Sequence, residues 1–200
     1  MLKGIDTSHY QPIVDYKALM AQGVSYAYHK ATEGSSYFDM TFQNHRAACK
    51  NLGLPWGAYH FFQPLQDAMA QAATFCKAVG SLPAGTLPPI LDLEFCPTRD
   101  GDKWASVAPA DIIFIVKAWL WEVEKELGVK PGIYTSEAWW RQFGSNSDLF
   151  GSNPLWVAHY SPTPPGPFGG WTTWTFWQRD ANVIDHDLFN GDDLTPILRG

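Results

Sequence analysis

Pro88-Pro89-Ile90-Leu91-Asp92-Leu93-Glu94-Phe95 is an apolar run that carries two acids two residues apart. Alternate strand residues point to opposite faces, so as a strand it places Ile90, Asp92 and Glu94 on one face and Leu91, Leu93 and Phe95 on the other. Further on, Ile112, Ile115, Val116, Trp119, Leu120, Val123 and Leu127 fall at i, i+3, i+4, i+7, i+8, i+11 and i+15. That spacing predicts a helix over 111–127, ended by Gly128. The two segments make one strand–helix unit, and the question becomes how often the unit repeats.

Upstream it occurs three times. Strands are predicted at 3–6, 24–30 and 55–61, each followed by a helix, at 15–22, 41–52 and 67–79, with Gly23, Gly53 and Gly80 behind them. Downstream, a strand over 131–135 leads into a short aromatic helix at 137–143. The helices then stop, and 155–159, 173–178 and 183–188 read as three strands around a Pro/Gly-rich loop at 161–170. Five strand–helix units and three strands give eight strands, which predicts an α/β fold closed as an irregular TIM-like (β/α)5β3 barrel rather than an open doubly wound sheet. Residues 1–200 are read as a single domain. No GxGxxG or P-loop pattern follows the first strand, so nothing supports nucleotide binding.

Composition narrows the function. With 46% hydrophobic and 17% charged residues the chain is outside the disordered class. No apolar run approaches the ~20 residues of a membrane span, so membrane insertion is not expected. A net charge of −6 without a Lys/Arg cluster argues against nucleic acid as a partner. Met1 leads directly into a strand, with no secretory leader visible. Cys49, Cys76 and Cys96 are an odd number without metal-type spacing and are read as packed thiols. The histidines show no HExxH or comparable spacing, so neither a metal nor another cofactor is expected.

In β/α barrels, chemistry gathers at the C-terminal ends of the strands. Asp6 and His9 follow the first strand, Lys30 and Glu33 the second; Tyr59 and His60 end the third, Asp92 and Glu94 the fourth, Tyr134 the fifth. His159 and Tyr160 end the sixth, Trp177 and Gln178 the seventh, and Asp185 and Asp187 lie on the eighth. Asp92 and Glu94 face one space, where two like charges cannot both ionise at their free pKa, so one is expected to stay protonated near neutral pH. An acid beside a base suits glycosidic bond cleavage. Carboxylates lined by aromatic rings suit a sugar better than a phosphate, which would call for Arg, Lys or helix N-termini. Trp139 and Trp140 are not expected to face inward together, and Trp171, Trp174 and Trp177 suggest an exposed sugar-stacking rim.

Gly4-Ile5-Asp6-Thr7-Ser8-His9-Tyr10-Gln11, Lys30-Ala31-Thr32-Glu33-Gly34 with Tyr37 and Asp39, Gly57-Ala58-Tyr59-His60-Phe61 and the Asp-x-Glu of Leu91-Asp92-Leu93-Glu94 resemble the glycoside hydrolase family 25 lysozymes. The resemblance continues through Gly132-Ile133-Tyr134-Thr135, Leu155-Trp156-Val157-Ala158-His159-Tyr160 and Trp177-Gln178. It implies a flattened (β/α)5β3 barrel and cleavage of the β-1,4 bond between N-acetylmuramic acid and N-acetylglucosamine in peptidoglycan glycan strands. It also implies Glu94 as general acid, Asp92 assisting, and Asp6 and Asp185 completing the catalytic set. Glu33, Tyr59, His60, Tyr134, Trp156, Tyr160, Trp177 and Gln178 would contact substrate. Asp185 matches by its distance to Phe189, while Asp187 replaces the family's usual Asn and is able to share or take over the role. Two carboxylates two apart on a strand, with Cα atoms ~6.6 Å apart, do not decide between retention and inversion; a third route uses the substrate's own 2-acetamido group, and it is favoured for this family.

Two rival functions are a non-catalytic wall-glycan-binding module and a chitinase-like barrel. The latter's Asp-x-x-Asp-x-Asp-x-Glu pattern would need acids at Leu87 and Ile90. A monomer is the expectation. The place of action would be the bacterial cell wall, reached either as a phage endolysin held in the cytoplasm until release or as a secreted enzyme whose leader has been removed.

Overall fold

The repeating strand–helix pattern closes into a barrel. The structure, a computed structural model, describes residues 1–200. Its barrel strands are β1 (Leu2–Thr7), β2 (Val24–Glu33), β4 (Trp56–Phe61), β5 (Ile90–Leu93), β8 (Gly132–Ser136), β9 (Leu155–Ala158), β10 (Phe176–Asp180) and β11 (Asp185–Phe189). β1, β2, β4, β5, β8, β9 and β10 pair in that order and in parallel, while β11 runs antiparallel to both β10 and β1 and closes the ring. This is the predicted eight-strand barrel. A short β3 (Tyr37–Phe38) adds to the edge of β2, and β6 (Pro97–Thr98) with β7 (Gly101–Asp102) forms a small hairpin beyond β5; sequence periodicity does not reveal elements of two residues.

Helices α1 (Tyr16–Ala21), α2 (Phe42–Leu52), α3 (Ala68–Val79), α4 (Pro109–Leu127) and α5 (Glu137–Gln142) cover the strands they connect. Asp15, Asp67 and Ser136 cap α1, α3 and α5 through their side chains. Helix α4 begins two residues before the predicted start, because Pro109 occupies its first turn, where a missing N–H costs nothing. Ile112, Val116, Trp119, Leu120, Val123 and Leu127 are buried on its inner face.

Inside the barrel Tyr26, Tyr28, Tyr134, Trp156, Phe176 and Phe189 pack as a second core. Gly4 and Gly57 also face inward, and a Cβ at either would run into the ring of Tyr26 or Tyr28 respectively. The two glycines thus leave room for the tyrosines that fill the barrel. Trp139 and Trp140 are both fully buried, contrary to expectation: Trp139 packs on Trp104, while Trp140 packs on Phe150 and Trp171. Trp171, Trp174 and Trp177 are buried as well and form no exposed rim: Trp171 packs on Trp140 and donates its indole N–H to the Asn153 carbonyl, and Trp174 packs on Trp177. The three cysteines are unpaired, and no helix is long and apolar enough to cross a membrane.

Candidate active site

Strand alternation and barrel closure bring most of the predicted residues to one mouth. A cavity of about 150 Å³ is lined by Asp6, Tyr59, Asp92, Glu94, Tyr134, Trp156, Tyr160, Gln178 and Asp185. It opens on one side to a hollow bordered by Ser8, Tyr10, Gln11, Lys30 and Phe61, and on the other to one bordered by Phe95, Ser136 and Ala158; Glu94 borders all three.

Asp6 and Asp185 are direct cross-strand partners of β1 and β11. Because β11 is antiparallel, it presents its first residue at the end of the barrel where the parallel strands present their last. Register also separates the two eighth-strand acids. Asp185 lines the cavity, whereas Asp187 sits opposite Gly4 deeper in the barrel, where one oxygen accepts from the Trp156 indole N–H at 2.9 Å and the other has no partner. Burial, then the Asp6 charge, pushes the Asp187 carboxyl well up. It is a neutral interior group rather than a member of the mouth.

Strand β5 ends at Leu93, so Glu94 begins the following loop while Asp92 points into the barrel. The chain turns there, and Phe95, expected on the face shared by the buried Leu91 and Leu93, is 39% exposed. The Asp92 and Glu94 carboxyls line the same cavity and are close enough for each to act on the other's protonation. Burial, reinforced by Glu94, holds the Asp92 carboxyl far above the ordinary carboxylate range. Burial also raises Glu94, opposed by the neighbouring Asp92 carboxyl and the Lys30 charge. Asp92, the deeper of the two, is held the further above its ordinary range. Its Oδ1 is buried without a partner.

Facing this pair, Gln178 organises the far wall. Its Oε1 accepts from Tyr134 Oη at 2.7 Å and Tyr160 Oη at 2.9 Å, and its Nε2 donates to Asp6 Oδ2 at 2.8 Å and, more weakly, to Asp185 Oδ2 at 3.4 Å. Burial and then the Asp185 charge push Asp6 up to about 8, against the Gln178 bond.

The structure does not bring every predicted residue here. His60 faces outward into the core: Thr32 Oγ1 lies 2.7 Å from its Nδ1, Gln71 Oε1 lies 3.1 Å from its Nε2, and its ring stacks on Trp119. Strand alternation puts its neighbour Tyr59 in the cavity instead. Trp177 likewise points away from its neighbour Gln178 and donates to the His159 carbonyl at 2.6 Å. Glu33 stands behind Lys30, outside the cavity lining. Lys30 is the one cation bordering the cleft, and Gln63, which reaches Glu33, and Lys103, which reaches Gln63, carry no sequence signal that marks them. Cys96 is buried beside Phe62 and does not line the cleft.

The model of "Glycosyl hydrolases family 25" matches residues 5–187. An N,O-diacetylmuramidase from Arthroderma benhamiae is 34% identical over all of this chain and 87% of its own length. Lysozyme M1 of Streptomyces globisporus is 32% identical over 95% of this chain and 68% of its own. Among solved structures, a family GH25 lysozyme from Aspergillus fumigatus superposes with a TM-score of 0.91 at 31% identity, covering 100% of this chain and 99% of the other. With its barrel, its acid-lined mouth and a family match across nearly its whole length, this chain belongs to glycosyl hydrolases family 25 and is a glycoside hydrolase.

Proposed function

We propose that the cleft hydrolyses peptidoglycan as a muramidase, cutting the β-1,4 bond on the reducing side of N-acetylmuramic acid, with Glu94 as general acid and Asp92 assisting. The observation that carries this is the Asp92–Glu94 pair, a buried carboxyl and a half-buried one, both raised by burial, in a cavity otherwise walled by Asp6, Asp185, three tyrosines, Trp156 and Gln178. Inversion needs carboxyls ~6.5–9.5 Å apart with water between, and a direct nucleophile needs a sugar between them at ~5–5.5 Å. Two carboxyls two residues apart in one segment, close enough to act on each other, suit neither arrangement.

The arrangement instead suits attack by the substrate's own 2-acetamido group. On binding, the acetamido N–H donates to Asp92, whose Oδ1 has no other partner. Asp92 becomes the carboxylate, and its proton passes to Glu94. Glu94 delivers that proton to the glycosidic oxygen as the C1–O bond breaks and the acetamido oxygen bonds to C1, giving a cyclic oxazolinium paired with Asp92. Water then adds to C1, Glu94 takes its proton, the C1–O bond to the acetamido oxygen opens, and the configuration is retained. Asp6, largely neutral at pH 7, serves with Gln178 to fix the wall rather than as a base.

A pure binding module has no use for three buried acids whose desolvation costs stability. The catalytic reading is tested with peptidoglycan before and after de-N-acetylation. Cleavage of native glycan that falls at least 100-fold after de-N-acetylation, and in Asp92→Asn, is expected. Equal turnover of the two glycans would overturn substrate assistance, and binding without cleavage would favour the module.

A further inference from the structure

Lys30 is an unusual side chain to find in the wall of an acidic cleft. It is 8% exposed, its ammonium lies 4.8 Å from the Phe61 ring centre and 5.9 Å from that of Tyr37, and it borders the hollow that Asp92 and Glu94 also border. Yet it makes no ion pair with either acid. Its partner is Glu33 on the same strand, Nζ to Oε2 at 2.6 Å. Glu33 is in turn held from behind: Gln63 Nε2 donates to its Oε1 at 2.8 Å, and Lys103 Nζ donates to Gln63 Oε1 at 2.8 Å. The anchor is firm, because Lys103 opens a short 3-10 turn whose backbone N–H bonds the Cys96 carbonyl, and Asp102 ties Cys96 N and Trp104 N with its two oxygens.

We infer that Glu33, held by Gln63 and Lys103, is a positioning residue that draws Lys30 aside so that its ammonium does not close onto Glu94. The inference rests on Glu94 being the acid. A lysine on a flexible four-carbon stem, free beside a buried carboxyl, would form the ion pair and hold that carboxyl ionised, which removes the proton the leaving group needs. Tethered, it still contributes charge at a distance and limits how far the pair is raised. The other ionisable groups around Glu94 are Asp92 on β5, Cys96 just after it, Asp6 on β1 with Tyr10 beyond, Asp185 on β11, Tyr59 on β4, Tyr134 on β8 and Tyr160 after β9. All are anionic or neutral, so Lys30 is the one positive charge whose placement is adjustable. Besides Glu33, Lys30 has the Tyr37 and Phe61 rings against it and acts on His60 from across β4.

The test is the pH dependence of kcat/KM on solubilised glycan strands for the wild type, Glu33→Gln, Gln63→Leu, Lys30→Met and the Lys30→Met/Glu33→Gln pair, with Glu94→Gln as control. Glu33→Gln should move the descending, alkaline limb down by about one pH unit, roughly a tenfold loss at pH values above it. Gln63→Leu should move it the same way by less, and Lys30→Met should move it up. The double variant should return toward the wild-type limb and recover activity, which a merely structural loss at Glu33 would not allow. An unmoved limb in Glu33→Gln, or a double variant no better than Glu33→Gln, overturns the inference. Activity persisting in Glu94→Gln would instead overturn the assignment of the acid itself.

Discussion

Replacing Asp6 by Asn should stabilise the protein, and by an amount that depends on pH. Asp6 is buried between β11 and Gln178, and burial with the Asp185 charge raises its pKa from 3.8 to about 8. A carboxyl raised on folding holds its proton more tightly in the native state, so the stability it contributes is fully present below pH 3.8 and is lost as pH rises through about 8. At about 1.4 kcal/mol per unit over the 3.2 units from pH 3.8 to pH 7, the upper bound on the cost at pH 7 is a little over 4 kcal/mol. Asn keeps an oxygen to accept from Gln178 Nε2 and turns an amide rather than a charge toward Asp185. Asp6→Asn is therefore expected to gain about 2–4 kcal/mol at pH 7, a rise in Tm of roughly 5–15 °C for a chain this size. Thermal unfolding of both proteins from pH 4 to pH 9 measures it. The difference should be near zero at pH 4, grow through neutral pH and level off above pH 8. A difference that is constant across that range would refute the reasoning, since it would trace to packing rather than to the proton.

The histidines carry the opposite slope. Burial lowers His60 to about 4 and His29 to about 3, so the stability each contributes is present above pH 6.5 and is lost as pH falls through those values; relative to His60→Gln, the wild type should lose up to about 1.4 kcal/mol per pH unit between 6.5 and 4 in denaturant titrations. Tyr134→Phe removes a donor that fixes the Gln178 carbonyl and should lower kcat about tenfold, roughly 1.4 kcal/mol of barrier, while unfolding shows a small change. Trp177→Phe, outside the cleft, should leave kcat/KM within about twofold and cost about 1 kcal/mol of stability through the lost indole bond to His159, as read by urea unfolding. Gly57→Ala drives a Cβ into the Tyr28 ring and should cost about 1–3 kcal/mol by the same measurement.

The strand–helix count was legible because four of the five helices have a glycine directly behind them and the longest carries a continuous apolar stripe. The barrel followed from that count, and so did the gathering of Asp6, Asp92, Glu94, Tyr134, Gln178 and Asp185. What alternation could not supply was the side of the sheet. Tyr59-His60 and Trp177-Gln178 are neighbours of which only one faces the cleft, and the aromatic or polar character of both members leaves the choice to register. The separation of Asp185 from Asp187 has the same origin: both face inward, and their depth is set by the pairing of β11 with Asp6 and Gly4. The tryptophans of 171–177 read as a rim because local sequence does not show which distant groups pack against them, and the Lys30–Glu33–Gln63–Lys103 chain spans elements far apart in sequence.

The most direct test of the central claim is mass spectrometry of the soluble products released from peptidoglycan by the wild type and by Glu94→Gln. The account predicts disaccharide peptides ending in reducing N-acetylmuramic acid from the wild type, with none from a variant that still folds and unfolds cooperatively. Products ending in reducing N-acetylglucosamine, or the same products from Glu94→Gln at comparable rates, would contradict it.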